Sequence, residues 1–233
     1  LLSPINADRT RLQVYPPHDL KGALDSVLWI AGAPDAGKTS VAGLLAARYQ
    51  LPVYHFDRHE MDHFARAGPG TTPELWASHP DRMTTEERWL GASPEEMARA
   101  TIAIWSERCR MAFDDVAALA GSRTLIAEGP GFYPSLLAPV LTDARKAIWL
   151  IPTEDFKRRS ATARGKPGNR HETSDPAQAA KNIIARDLLM GDSILKACEE
   201  LGLHYLVVDG TEGLGGVVQR VEAQFRPWLM GLD

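Results

Sequence analysis

Five short apolar runs punctuate the chain. They are Val27-Leu28-Trp29-Ile30-Ala31, Val53-Tyr54-His55-Phe56, Thr124-Leu125-Ile126-Ala127, Ala147-Ile148-Trp149-Leu150-Ile151 and Tyr205-Leu206-Val207-Val208. Short, nearly continuous apolar runs mark strands buried on both faces; a strand with one wet face would alternate. Between the runs lie segments of helical spacing. Ser40 to Tyr49 sets Val41, Leu44, Leu45 and Tyr49 on one side. Ser93-Pro94-Glu95-Glu96 reads as a capping box with proline at the first helical position, opening a helix to about Ala120 that stops at Gly121. Asp175-Pro176-Ala177-Gln178 starts another, stopped near Gly202, and Val217 to Phe225 forms the last. Buried strands alternating with helices predict an α/β fold of three layers, with a parallel sheet of about five strands covered on both faces.

The remaining stretches are less regular. Residues 1–25 are polar, contain Pro4, Pro16 and Pro17, and read as an arm or loop. Residues 58–92 are rich in Pro, Gly, Thr and His and read as short helices and loops, with Thr84 and Glu87 as a second capping box. With 233 residues, the chain suits one domain carrying a helical insert at 58–121. Net charge is −4, so no global basic field favours nucleic acid or an anionic membrane, and neither is expected as a partner. No run approaches bilayer-spanning length, and the first residues lack a basic-then-apolar signal pattern, so the expected location is cytoplasmic. Cys109 and Cys198 fall in helical segments without metal spacing and read as buried free thiols.

Chemistry enters at Gly32-Ala33-Pro34-Asp35-Ala36-Gly37-Lys38-Thr39, followed by Ser40. This matches G-x-x-x-x-G-K-[ST], between a buried-type strand and an amphipathic helix. Gly32 and Gly37 permit backbone conformations and close approaches that a side chain would block. Consecutive N–H groups then point at phosphate oxygens, and the following helix adds its positive end. Lys38 is expected to reach the β- and γ-phosphates and Thr39 to offer its hydroxyl to Mg²⁺, making ATP with Mg²⁺ the expected cofactors.

With that loop, the chain from Val27 to Phe225 resembles the small P-loop kinases: nucleoside monophosphate, shikimate and gluconate kinases and chloramphenicol phosphotransferase. The loop is the specific motif; the rest of the likeness is order and spacing. The resemblance implies strand order 2-3-1-4-5 and a carboxylate near the acceptor hydroxyl at the end of the second strand. Asp57 stands there, as proton acceptor or orienting group; helix N-capping is the structural alternative. It also implies a basic lid, for which 153–171 is the candidate, carrying Lys157, Arg158, Arg159, Arg164, Lys166 and Arg170. Arg164 and Arg170 are the expected catalytic pair beside Lys38 and Asp57, with Arg158 on the nucleotide. Arg186 and His59 are expected near the acceptor; a surface ion pair is the alternative for Arg186. Glu128 ends a strand where a Walker B acid would lie, and its role is open between Mg²⁺ and substrate. The loop at Asp209-Gly210-Thr211 is expected near the adenine.

Three other readings compete. His59-Glu60-Met61-Asp62-His63 matches the zinc peptidase pattern H-E-x-x-H, with Glu86 or Glu87 as conceivable third ligands. Arg66, however, occupies the glycine position of the longer zinc motif. A GTPase would need N-K-x-D, which the chain lacks. A non-catalytic nucleotide-binding regulator would share the phosphate loop. The expected function is ATP-dependent phosphorylation of a hydroxyl on a small-molecule acceptor, with a homodimer left open.

Overall fold

The structure, a computed structural model, describes residues 17–121, 123–163 and 169–230. Its strands are β1 (Val27–Gly32), β2 (Val53–His55), β3 (Leu125–Glu128), β4 (Ala147–Pro152) and β5 (Tyr205–Val208). All pairings are parallel, and the order is β2-β3-β1-β4-β5. Every residue of β1, β3 and β4 is buried. Alternation along these strands sends side chains to two cores. Val27, Trp29, Ala31, Ala127, Trp149 and Ile151 face one; Leu28, Ile30, Ile126, Ile148 and Leu150 face the other.

Helices cover both sides. The chain adds α1 (Pro17–Ala23), α2 (Lys38–Tyr49), α3 (Glu60–Arg66), α4 (Pro73–Ala77), α5 (Thr85–Leu90) and α6 (Pro94–Ala120). Then follow α7 (Pro134–Leu137), α8 (Glu154–Ala163), α9 (Pro176–Leu201) and α10 (Gly213–Leu229). Helices α2 and α10 pack on the face carrying Ile30 and Leu150; α6 and α9 pack on the face carrying Trp29 and Trp149. Both capping boxes form. Thr84 and Ser93 accept from the backbones of Glu87 and Glu96, whose carboxylates accept in return at 2.9 Å each.

Four details depart from the sequence expectation. Residues 17–23 are helical; Leu20 and the following Leu24, one turn apart, pack on the core. Helix α2 is rotated: Val41, Ala42, Leu45 and Ala46 are buried and Leu44 is exposed. Its small alanines let the helix sit close to the sheet. Strand β5 is a sheet edge whose residues alternate, leaving Tyr205 and Val207 exposed. Helix α10 begins four residues before the expected Val217. Cys109 and Cys198 are buried free thiols; burial raises both, Cys198 to about 12. Among the described residues, no helix is long and apolar enough to cross a membrane.

Candidate active site

The loop expected to hold phosphate leaves the C-terminal end of β1, the central strand, which pairs with β3 on one side and β4 on the other. That is the position at which open α/β sheets form a crevice. Gly32 has φ +120°, and a Cβ there would lie 2.1 Å from the Leu150 carbonyl oxygen. No other residue fits without moving β4. Asp35 and Gly37 also take positive φ, 63° and 89°. Gly37 caps α2 with no side-chain bond, and the first turn of α2 carries no acid. The positive end of α2 is thereby left for an anion. Lys38 is buried, and its ammonium donates to the Ala33 carbonyl at 2.7 Å. Burial lowers its pKa, opposed by the carboxylates of Asp57, Glu128 and Asp35.

Beside the loop, Thr39 Oγ1 lies 3.2 Å from both carboxylate oxygens of Glu128. Glu128 is buried and also pairs with His55 Nδ1 at 2.7 Å. The Gly129-Pro130-Gly131 that follows has a packing reason. A Cβ at Gly129 would sit 2.2 Å from Phe56 Cβ, and one at Gly131 would sit 2.0 Å from the Phe56 ring. The two glycines therefore admit Phe56, the residue before Asp57.

Asp57 stands on a single turn of 3₁₀ helix, Phe56–His59, and is exposed. The cap positions of this turn and of α3 are His55 and His59, neither with a side-chain cap bond. The N-cap alternative for Asp57 therefore does not hold. Among the described residues its carboxylate has no hydrogen-bond partner. It opens on a cleft of 450 Å³ shared with Lys38, Thr39, Glu128, Trp105, Pro130 and Arg186.

The H-E-x-x-H residues lie behind this turn and grip an arginine. Arg108 of α6, 1% exposed, donates from Nε to His63 Nδ1 at 3.2 Å. Its terminal nitrogens donate to Glu60 at 3.2 Å and to the Phe56 carbonyl at 2.8 Å. The guanidinium also lies over the Phe56 ring, 4.3 Å from its centre. Since His63 Nδ1 accepts, its proton sits on Nε2, which donates to Asp115 at 3.0 Å. Both ring nitrogens are thus committed within the protein. His59 stacks on Tyr54 at 4.4 Å and does not line the cleft. These residues assemble no zinc site; instead they fasten the turn that carries Asp57 to α6.

Arg186 lines the same cleft. It pairs with its neighbour Asp187 at 2.6 and 2.9 Å and lies 5.1 Å from the Trp89 ring centre. The ion pair is with Asp187 itself and is largely buried, unlike the surface pair of the alternative reading, and it coexists with the cleft position. Arg158 is a correction: it pairs with Glu154 one turn back, on the exposed side of α8, away from the cleft. The preceding residue, Lys157, points inward instead and donates to Asp35 of the phosphate loop at 2.7 Å. Arg159 donates to the Asp209 carbonyl at 2.9 Å. Arg164 and the Arg170 side chain fall outside the described residues.

A second, apolar slot of 240 Å³ adjoins the loop, bounded by Ala36, Val41, Phe156, Val208, Leu214 and Val217 and by Gly210 of the expected base loop. Ser40 borders both cavities. Sequence reasoning missed Asp187, Trp105 and Arg108, and named Lys157 only as one basic residue of the expected lid. The signal available for Lys157 was helical phase: it shares the less exposed side of α8 with Ser160 and Ala161, while Arg158 falls outside.

No protein-family model and no curated protein matches the chain in sequence. Among solved structures, one described as a "putative kinase" from Chloroflexus aurantiacus is similar to it at 20% identity with a TM-score of 0.41. The match covers 86% of this chain and 98% of the other. That likeness is loose. The fold and chemistry of this chain rest on its own sheet order and cleft.

Proposed function

We propose that this protein is an ATP- and Mg²⁺-dependent phosphotransferase that phosphorylates a hydroxyl of a small molecule. One observation carries the reading: a single cleft joins the anion-ready start of α2, the Lys38 ammonium and the unpartnered Asp57 carboxylate. The backbone N–H groups from Asp35 to Ser40 and the Lys38 ammonium bind the phosphates; the Ala33 N–H is held by the Leu150 carbonyl, and Pro34 has none. The adjoining slot has the apolar walls that a planar base requires.

The donor set at Thr39 and Glu128 is all oxygen, which fits Mg²⁺. Mg²⁺ usually keeps few protein ligands, so the lack of a three-ligand cluster among the described residues agrees with it. When bound, Mg²⁺ supplies positive charge against the oxygens of the transferred phosphoryl group. Thr39 and Glu128, the latter oriented by His55, would hold the ion. Asp57 accepts the hydroxyl proton of the acceptor as the acceptor oxygen bonds to the γ-phosphorus, the bond from that phosphorus to the β–γ bridging oxygen breaks, and ADP leaves. Arg186, on the same cleft, orients the acceptor. The insert at 58–121 serves as the acceptor side and 153–171 as the lid, with Arg164 and Arg170 offered to the phosphates.

The test is ATP turnover with a panel of hydroxylated metabolites, nucleosides and antibiotics. An accepted substrate should lose about 100-fold in kcat with Asp57→Asn. ATP affinity should hold or tighten by up to about threefold, because the variant removes a negative charge near Lys38 without removing a contact to the loop. Full activity in Asp57→Asn would refute the proton-acceptor role. ATP binding without transfer to any acceptor would favour the regulator reading.

A further inference from the structure

An acid inside a phosphate-binding loop works against the loop's purpose. Asp35 is such an acid, three residues after Gly32 and on the cleft wall. A fixed negative charge there repels a triphosphate across partly desolvated space, where screening is weak. The residue also takes φ +63°, a conformation costly for most L-residues though less so for Asp.

Lys157 of α8 meets that charge. Its ammonium donates to Asp35 Oδ2 at 2.7 Å and to Asp187 Oδ2. Lys157 and Asp187 are 1% and 3% exposed, so neither charge could persist there alone. The other oxygen of Asp187 receives Arg186. The result is an unbroken row, Asp35–Lys157–Asp187–Arg186, with alternating charges that sum to zero. Its two ends open on the cleft and its middle is sealed from water.

We propose that Lys157 is a positioning residue that cancels the Asp35 charge within the phosphate loop, so that tight triphosphate binding requires α8 to be seated on the loop. The proposal rests on the nucleotide-binding part of the function given above. It makes α8 a contributor to phosphate affinity without contact with phosphate. Through Asp187, the same seating fixes Arg186 on the acceptor side.

Calorimetric binding of ATP with Mg²⁺, and separately of adenosine, tests this on the full chain. Lys157→Met should weaken ATP about tenfold or more, the effect of removing one positive charge from beside the loop that faces the triphosphate. Adenosine, which has no phosphate, should change by less than about twofold. Asp35→Asn should tighten ATP about threefold, and Lys157→Met with Asp35→Asn should return close to wild type, because one charge of each sign is then gone. Wild-type ATP affinity in Lys157→Met would overturn the proposal. So would a double variant as weak as Lys157→Met, or a parallel loss of adenosine binding. Where Lys157→Met does not fold, Asp35→Asn decides: ATP binding weaker than wild type would overturn it. Failure of the wild-type chain to bind ATP would instead overturn the function itself, so the two failures are distinguishable.

Discussion

Acidification should reveal His63. The ring is fully buried, with Arg108 donating to Nδ1 and Asp115 accepting from Nε2. Burial lowers its pKa to about 4 from 6.5; the positive charges of Arg108 and Arg66 add to this, and Asp115 opposes it. Because the folded value lies below the unfolded one, the unfolded chain binds the proton first as pH falls. Stability contributed by the neutral ring is complete above about pH 6.5 and is lost progressively down to about pH 4. The gap of about 2.5 units corresponds to about 3 kcal/mol at about 1.4 kcal/mol per unit. Urea unfolding of wild type and His63→Asn at pH 7 and pH 4.5 isolates this share, since Asn does not titrate and the other groups remain common to both. The wild type should lose about 2–3 kcal/mol more than the variant over that interval. Arg108→Met removes a neighbouring charge and should narrow the window. Parallel pH profiles for wild type and His63→Asn would refute the reasoning, because an accessible ring would show no such excess.

Two further outcomes follow from close contacts and their absence. Gly32→Ala places a methyl group 2.1 Å from the Leu150 oxygen at a φ of +120°, so ATP affinity should fall at least about tenfold, and strain of about 1–3 kcal/mol should lower Tm by roughly 3–10 °C. Calorimetry and a thermal melt check both. Arg158→Ala removes an exposed pair with Glu154; unfolding free energy should move by less than about 0.5 kcal/mol, and ATP turnover should not change.

The strand–glycine loop–helix unit, both capping boxes and the five strands were legible because each depends on local chemistry or on continuous apolar runs, whereas the strand order came only from the resemblance to small P-loop kinases. The loop at Gly32–Thr39 needs glycines at fixed spacing, and the ends of α6 at Ser93 and Gly121 are set by residues adjacent in sequence. What failed depends on rotation about an axis. Leu44 and Ala42 differ by half a helix turn, and composition favoured Leu44 for burial, yet the sheet selects the smaller side chain. Among the basic residues of α8, charge alone could not separate Lys157, turned toward Asp35, from Arg158, turned toward Glu154. The His59–His63 motif misled for another reason. Its spacing also suits a grip on one guanidinium, and the arginine that fills it lies 45 residues from His63 in sequence.

The central place of β1 has a consequence for how the chain reaches this structure. Val27 pairs with Leu125 on one side and Trp29 with Ala147 on the other. Strand β2, the next in sequence, lies beyond β3 and is no neighbour of β1. The segment bearing the phosphate loop therefore finds no sheet partner until a long loop has closed, and the entropy of that closure precedes any reward from pairing. A motif near the start of the sequence is thus fixed late in folding. The acquisition of ATP affinity during refolding should accordingly track completion of the central sheet, while the self-contained turns of α6 form earlier.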